Sequence, residues 1–171
     1  MSVFGSRVTK TEYRSFRVPT NAQIIARVKR YSHRGELART DFKEAVMYNC
    51  LKAAAFIASN FSGIESSYSQ FSRADIQTLC KHRRIPALKL LLKTVKQTVS
   101  NPDEKYGEWV GGLIQEIVSN DCYLTKEAVA CLPDSTSEIL NLQLRNALLQ
   151  AEGKSGSTEV LILRSWMDSH L

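Results

Sequence analysis

Apolar residues recur along most of this chain at intervals of three and four positions, and no segment shows a convincing two-residue alternation of the kind a strand has. The first such stripe, formed by Ile24, Val28 and Tyr31, predicts a helix from about Asn21 to His33. Gly35 then provides a stop, because glycine readily adopts the left-handed backbone that ends helices. The pattern as a whole predicts an all-α fold.

The longest apolar pattern follows a candidate cap, Thr40-Asp41, and continues to about Asn60. Its apolar residues cover much of the helix circumference instead of a single stripe. A helix with that pattern is buried on most sides. We therefore predict one helix over residues 41–60 and place it at the centre of the fold.

Later helix starts are marked by capping residues and by proline. Ser72–Asp75 forms a capping box, and Pro86 suits the first turn of a helix that runs to about Ser100. Residues 101–104 restart a helix with a cap, a proline and two acids. Ser135–Glu138 is a second capping box and opens a leucine-rich helix.

A glycine pair, Gly111-Gly112, interrupts the helical pattern that contains Trp109, Val110 and Leu113. Glycine is unfavourable inside a helix, so its presence there has a structural reason. The pair marks either a kink or a close contact with another helix.

The two ends of the chain lack this helical pattern. Residues 1–19 mix basic with aromatic and β-branched residues without a 3.6-residue period, which predicts an extended arm. Residues 154–171 combine a flexible linker with a short apolar tail, for which a strand, a last helical turn, and packing on this or a neighbouring copy remain open. The prediction is a compact bundle of six to eight helices over residues 20–153, with a basic N-terminal arm and a short apolar C-terminal tail.

Charge is sorted by position along the chain. Residues 1–40 hold nine Lys/Arg against two acids (net +7), and residues 76–102 hold six against none (net +6). Residues 103–171 hold five against eleven (net −6). The basic blocks indicate a polyanionic partner, of which phosphate backbones are the common example. The acidic block raises the further possibility that copies of the chain attract each other.

The predicted helices gather the basic residues into clusters: one face of the first helix, a run before Pro86 and a stripe after it. The arginine fork suits phosphate oxygens, and the run before Pro86 lies close to a helix N-terminus, which also favours anions. Tyr13 and Phe16 of the arm could stack on unpaired bases. The candidate nucleic-acid-binding residues are Arg14, Arg17, Arg27, Arg30, Arg34, Lys81, Arg83, Arg84, Lys89, Lys93 and Lys96.

The remaining side chains predict no enzyme, metal site or cofactor. Cys50, Cys80, Cys122 and Cys131 lack the paired spacing of zinc modules and lie in apolar contexts, so we expect core thiols. No catalytic motif is present, and Gly153-Lys154-Ser155 lacks the earlier glycine of a phosphate loop. Without a secretory signal or a span-length apolar run, we expect an intracellular, cytoplasmic protein with reduced thiols.

The order of three features resembles a viral family. Asp75-Ile76-Gln77-Thr78-Leu79 is followed by Pro86 and a long helix, and Leu132-Pro133 precedes the leucine-rich helix. Over residues 42–150 this resembles the helical core of the pneumovirus transcription antiterminator, and the filovirus nucleocapsid-associated transcription activator is similar in architecture. That family has an N-terminal zinc finger, whereas residues 1–40 contain no cysteine. The resemblance implies an oligomeric viral RNA-binding protein and adds no site residue.

The sequence therefore predicts a non-enzymatic protein that binds nucleic acid, with single-stranded RNA the expected partner, and that self-associates. A viral nucleoprotein, matrix-like protein or RNA-binding accessory factor, located in the host cytoplasm, fits this description. The alternative is a helical adaptor whose basic face binds an acidic protein or an anionic membrane.

Overall fold

The computed structural model describes residues 18–30, 35–61, 68–99, 102–154 and 157–171. Within these ranges the chain forms nine α-helices and no strand, so the predicted all-α class is confirmed. Apart from residues 18 and 19, the predicted N-terminal arm lies outside the described residues. The helices are α1 (Asn21–Arg30), α2 (Gly35–Met47), α3 (Leu51–Asn60), α4 (Arg73–Lys81), α5 (Ile85–Thr98), α6 (Glu104–Ser119), α7 (Thr125–Val129), α8 (Glu138–Glu152) and α9 (Ser157–His170).

The predicted single helix over residues 41–60 is wrong, because the chain turns between α2 and α3. Asn49 has a φ of 59°, and the backbone N–H of Cys50 donates to the Ala45 carbonyl oxygen at 2.7 Å. This is the Schellman arrangement that ends a helix, with asparagine in place of the usual glycine. The start also differs, since α2 begins at Gly35, which was predicted to be a stop.

α6, and not the predicted 41–60 segment, is the most deeply buried of the described helices. Ten of its sixteen residues are buried, and it packs along α8 while also contacting α4 and α7. A Cβ atom on Gly111 would lie 2.2 Å from Gln143 Oε1 of α8, so the two helices approach closely at this glycine. The helix continues through both glycines, and the pair therefore marks a close helix contact.

The starts of α6 and α8 lie two residues later than predicted, whereas α4 starts at its predicted position. Ser72 and Asp75 exchange hydrogen bonds in the expected capping box of α4. α6 begins after Asp103 and α8 after Ser137, and each of these side chains accepts a hydrogen bond from the backbone N–H three residues on. In each segment the last polar residue before the helix is the one that caps it.

The C-terminal tail is a full helix, α9, and not a strand. Its residues Leu163, Trp166 and Met167 pack on the hydrophobic core, and the helix contacts α7 and α8 of the same chain. Arg164 also forms an ion pair with Glu152 of α8. The tail therefore packs on its own chain in this structure.

α5 packs against four other helices and presents one side to solvent. It contacts α2, α3, α4 and α7. Its apolar stripe is buried as predicted, with Leu88, Leu91, Leu92 and Val95 facing the core. The other side of this helix, which carries the second basic block, faces outward.

Candidate nucleic-acid interface

Three lysines occupy the solvent side of α5, and we call them the α5 lysine face (Lys89, Lys93 and Lys96). All three side chains are exposed. None of them takes part in an ion pair within the described part of the chain. Because residues 76–102 include no acid, the charge of this face is not neutralised by its own segment, and it remains available to an external anion.

The turn between α4 and α5 extends this face toward the helix N-terminus. Lys81 and His82 are exposed, and Arg84 is half-buried at the position just before α5 begins. The first N–H groups of a helix lack partners within the helix and favour an anion near them. Cationic side chains and helix N–H groups thus lie together at this end of α5.

An open groove of about 640 Å³ lies beside this turn, and α2 forms its other wall. Tyr48, directly after α2, is 40% exposed and lines the groove with Lys43, His82 and Arg84. Glu44 also lines the groove, and its carboxylate is paired with Arg27. An exposed aromatic ring next to cationic groups can hold an unpaired base by stacking. Sequence reasoning missed Tyr48 because it placed this residue inside a continuous helix; an asparagine that can end a helix, Asn49, was the available signal.

Arg27, a predicted phosphate ligand, is engaged inside the fold. Its guanidinium lies 2.7 Å from both Asp41 and Glu44 of α2. Asp41 is 7% exposed, and burial raises the pKa of its carboxyl while the Arg27 charge opposes that rise. A buried carboxylate needs such a partner, so the charge of Arg27 is used to hold α1 against α2.

The other predicted residues of the first basic block give little further support to an interface. Arg30 is exposed at the end of α1. Arg14, Arg17 and Arg34 lie outside the described residues, as do the arm aromatics. The structure therefore places the candidate interface on α5 and the α4–α5 turn, and it does not bring the first-helix arginines into it.

Arg83, also predicted to contact phosphate, caps another helix. It occupies the left-handed position that ends α4, with a φ of 56°. Its guanidinium donates to the carbonyl oxygens of Asn120 and Asp121 at 2.8 and 3.0 Å. These carbonyls follow the C-terminus of α6, where a cation is favourable. Arg83 therefore ties the α4–α5 turn to the end of α6.

The Arg83→Ala substitution should lower the free energy of unfolding by about 1 kcal/mol, because it removes both hydrogen bonds and leaves the strained backbone in place. Urea unfolding measures this change. The matched substitution Lys81→Ala, at an exposed neighbouring site, should change stability by less than about 0.5 kcal/mol. Equal stabilities for the two variants would argue against the capping role.

All four cysteines are free and buried, which confirms the prediction of core thiols. Burial raises the pKa of the Cys131 thiol to about 11, and a protonated thiol is a poor nucleophile. Among the described residues no three His, Cys, Asp or Glu side chains are grouped so that they could hold a metal ion. Within the same part of the chain, no helix is both long and apolar enough to cross a lipid bilayer.

Over the described residues, the fold and this surface define a class: an all-α domain with a basic, solvent-facing side on α5. No family model, curated protein or solved structure matches the chain. The resemblance to the viral transcription factors stays a prediction.

Proposed function

We propose that this protein is a non-enzymatic nucleic-acid-binding protein whose α5 lysine face and α4–α5 turn hold single-stranded RNA, and that it self-associates. The observation that carries the proposal is the α5 lysine face. It consists of three exposed lysines on one helix, and the surrounding residues 76–102 contain no acid. Lysine and arginine contacts to phosphate supply most of the affinity of sequence-independent binding.

The proposed binding mode is along the helix. Lys89 and Lys96 are seven residues apart, so their backbones lie about 10 Å apart along α5. Lysines at this spacing can reach successive backbone phosphates of a flexible single strand. Such contacts position the nucleic acid without reading its sequence, and we therefore expect weak sequence preference.

The groove beside the turn gives single-stranded nucleic acid an advantage over duplex. Tyr48 can stack only on a base that is unpaired and splayed out, and His82 and Arg84 lie in the same groove. In a duplex the bases are stacked on one another and are unavailable to the ring.

The alternative function, an adaptor whose basic face binds an anionic membrane, has less support. A helix that binds a membrane surface combines basic residues with large apolar residues that enter the lipid. On α5 itself, the exposed residues other than the lysines are Pro86 and Gln97, which supply no such anchor.

A titration against three partners tests the proposal. Fluorescence anisotropy with a labelled short single-stranded RNA, the same RNA annealed to its complement, and cosedimentation with phosphatidylserine vesicles would be run at one salt concentration. We expect tightest binding to the single strand, weaker binding to the duplex and the weakest to vesicles. Vesicle binding without RNA binding would overturn the proposal and favour the adaptor.

A further inference from the structure

α8 carries an exposed apolar stripe on the side away from its core face. Ile139, Leu142 and Leu149 are 52%, 60% and 66% exposed, while Leu140 and Leu144 on the other side are buried against the rest of the fold. Large apolar residues that share one exposed helix face mark an interaction surface.

The spacing of this stripe is that of a coiled-coil seam. With Asn146, which is also exposed, the residues fall at intervals of three, four and three, which is the a–d–a–d order of a heptad repeat. We call these four residues the α8 seam (Ile139, Leu142, Asn146 and Leu149). A narrow seam of this kind fits another helix with the same repeat, and an asparagine at one a position is the residue that fixes register between such helices.

From this geometry we propose that a second copy of this chain binds the α8 seam, with the two α8 helices parallel and in register around a two-fold axis. In that arrangement Asn146 meets Asn146 of the other copy, and the two amides can hydrogen-bond. An antiparallel pair would place Asn146 against Leu142 and leave the amide without a partner in an apolar interface.

The charges beside the seam also favour the parallel pair. Glu138 and Arg145 flank one edge together with Glu152, which is paired with Arg164 of α9. The other edge carries Gln143 and Gln150, whose amide oxygens face α6: Gln143 lies against Gly111, and Gln150 accepts a hydrogen bond from Ser119. Parallel helices place each edge against the opposite edge of the partner, so that the charged edge meets an edge without charge. Antiparallel helices would bring Arg145 against Arg145, which is repulsive.

The core face of α8 lies on the far side of the helix from the seam, so the two bodies would extend away from each other. The seam runs over eleven residues, or about 15 Å of helix. This is short for a stable interface, since such interfaces bury roughly 1,200 Å² or more. We therefore expect weak, concentration-dependent pairing that becomes strong when two copies share one RNA strand, because the second contact is then intramolecular. This inference deepens the self-association half of the proposed function.

Sedimentation equilibrium over rising concentration tests the pairing. The wild type should shift from monomer toward dimer, Leu142→Gln/Leu149→Gln should stay monomeric, and Asn146→Leu should associate more strongly, because leucine at this position adds apolar contact. Leu161→Gln on α9 is the matched control, since Leu161 is 66% exposed, as is Leu149, and lies off the seam; it should behave as the wild type. A wild type that stays monomeric, or a seam variant that still dimerises, overturns the proposal.

The orientation has its own test. Under a mild oxidant, Asn146→Cys should give a disulfide-linked dimer in the parallel pair, because the two residues then lie within disulfide range, whereas Leu161→Cys should not. Dimerisation with no Asn146→Cys cross-link would overturn the parallel arrangement. The seam variants are neutral and lie off α5, so their affinity for a short RNA should equal that of the wild type; loss of pairing with RNA binding intact, or the reverse, separates failure of this inference from failure of the proposed function.

Discussion

Replacing Lys89, Lys93 and Lys96 together with alanine should lower the affinity for single-stranded RNA at least about tenfold at low salt. Each lysine that neutralises a phosphate releases about 0.7 of a counterion from a single strand, so the slope of log K against log salt should become shallower by about 2. All three side chains are exposed, and the fold should therefore be unaffected. Anisotropy titrations between about 50 and 200 mM salt measure both quantities.

The control for this triple variant is Lys105→Ala/Lys126→Ala. Both lysines are exposed, but they lie in the segment 103–171, whose net charge is −6. We expect a slope and an affinity close to those of the wild type. If the control weakened binding as much as the triple variant, net charge and not the α5 lysine face would account for the affinity.

The Gly111→Val substitution should destabilise the fold by about 3 kcal/mol, the upper end of the usual cost of overpacking. A Cβ atom at this position would lie 2.2 Å from Gln143 Oε1 and 2.9 Å from Leu140 Cδ1. The Gln143 oxygen has no hydrogen-bond partner among the described residues and its side chain can turn away, but Leu140 is buried and cannot. Valine adds two further methyl groups, so α6 and α8 must separate. Thermal unfolding should show a fall of roughly 6–12 °C.

Gly112 provides the matched comparison one residue further along the same helix. A Cβ atom there would come no closer than 3.8 Å to Gln143 Nε2 and 4.0 Å to Arg73, which is ordinary contact. The Gly112→Ala substitution should therefore stabilise the protein by about 0.5–1 kcal/mol through helix propensity alone. Equal effects of the Gly111→Val and Gly112→Ala substitutions would show that α6 and α8 do not meet at Gly111.

Helical periodicity was enough to predict the all-α class, the buried stripe of α5 and the α4 capping box. It did not predict the turn at Asn49, and it did not identify Arg83 and Asp121 as the left-handed residues that end α4 and α6; φ at these three residues lies between 53° and 59°. Each residue occupies a position that ends a helix and that glycine usually fills. Because none of the three is glycine, local sequence gave no strong stop signal, and tertiary packing decides where α2, α4 and α6 end.

The candidate interface was predictable only in part, for an electrostatic reason. Local sequence shows which residues are basic but not which acids approach them from elsewhere. Arg27 meets Asp41 and Glu44 across a helix boundary, and Arg83 meets carbonyl groups more than thirty positions away. The lysines of α5 have no ion pair within the described residues. The sequence showed only that their own segment supplies no acid; that no described acid reaches them from elsewhere became visible only in the structure.

The central claim is that exposed cations on α5 and its preceding turn bind a phosphate backbone. The measurement that tests it most directly is the salt dependence of wild-type binding to single-stranded RNA. With Lys81, Arg84 and the α5 lysine face in contact, log K should fall with log salt with a slope of about −3.5. Binding that is indifferent to salt, or no binding at low salt, would contradict the account.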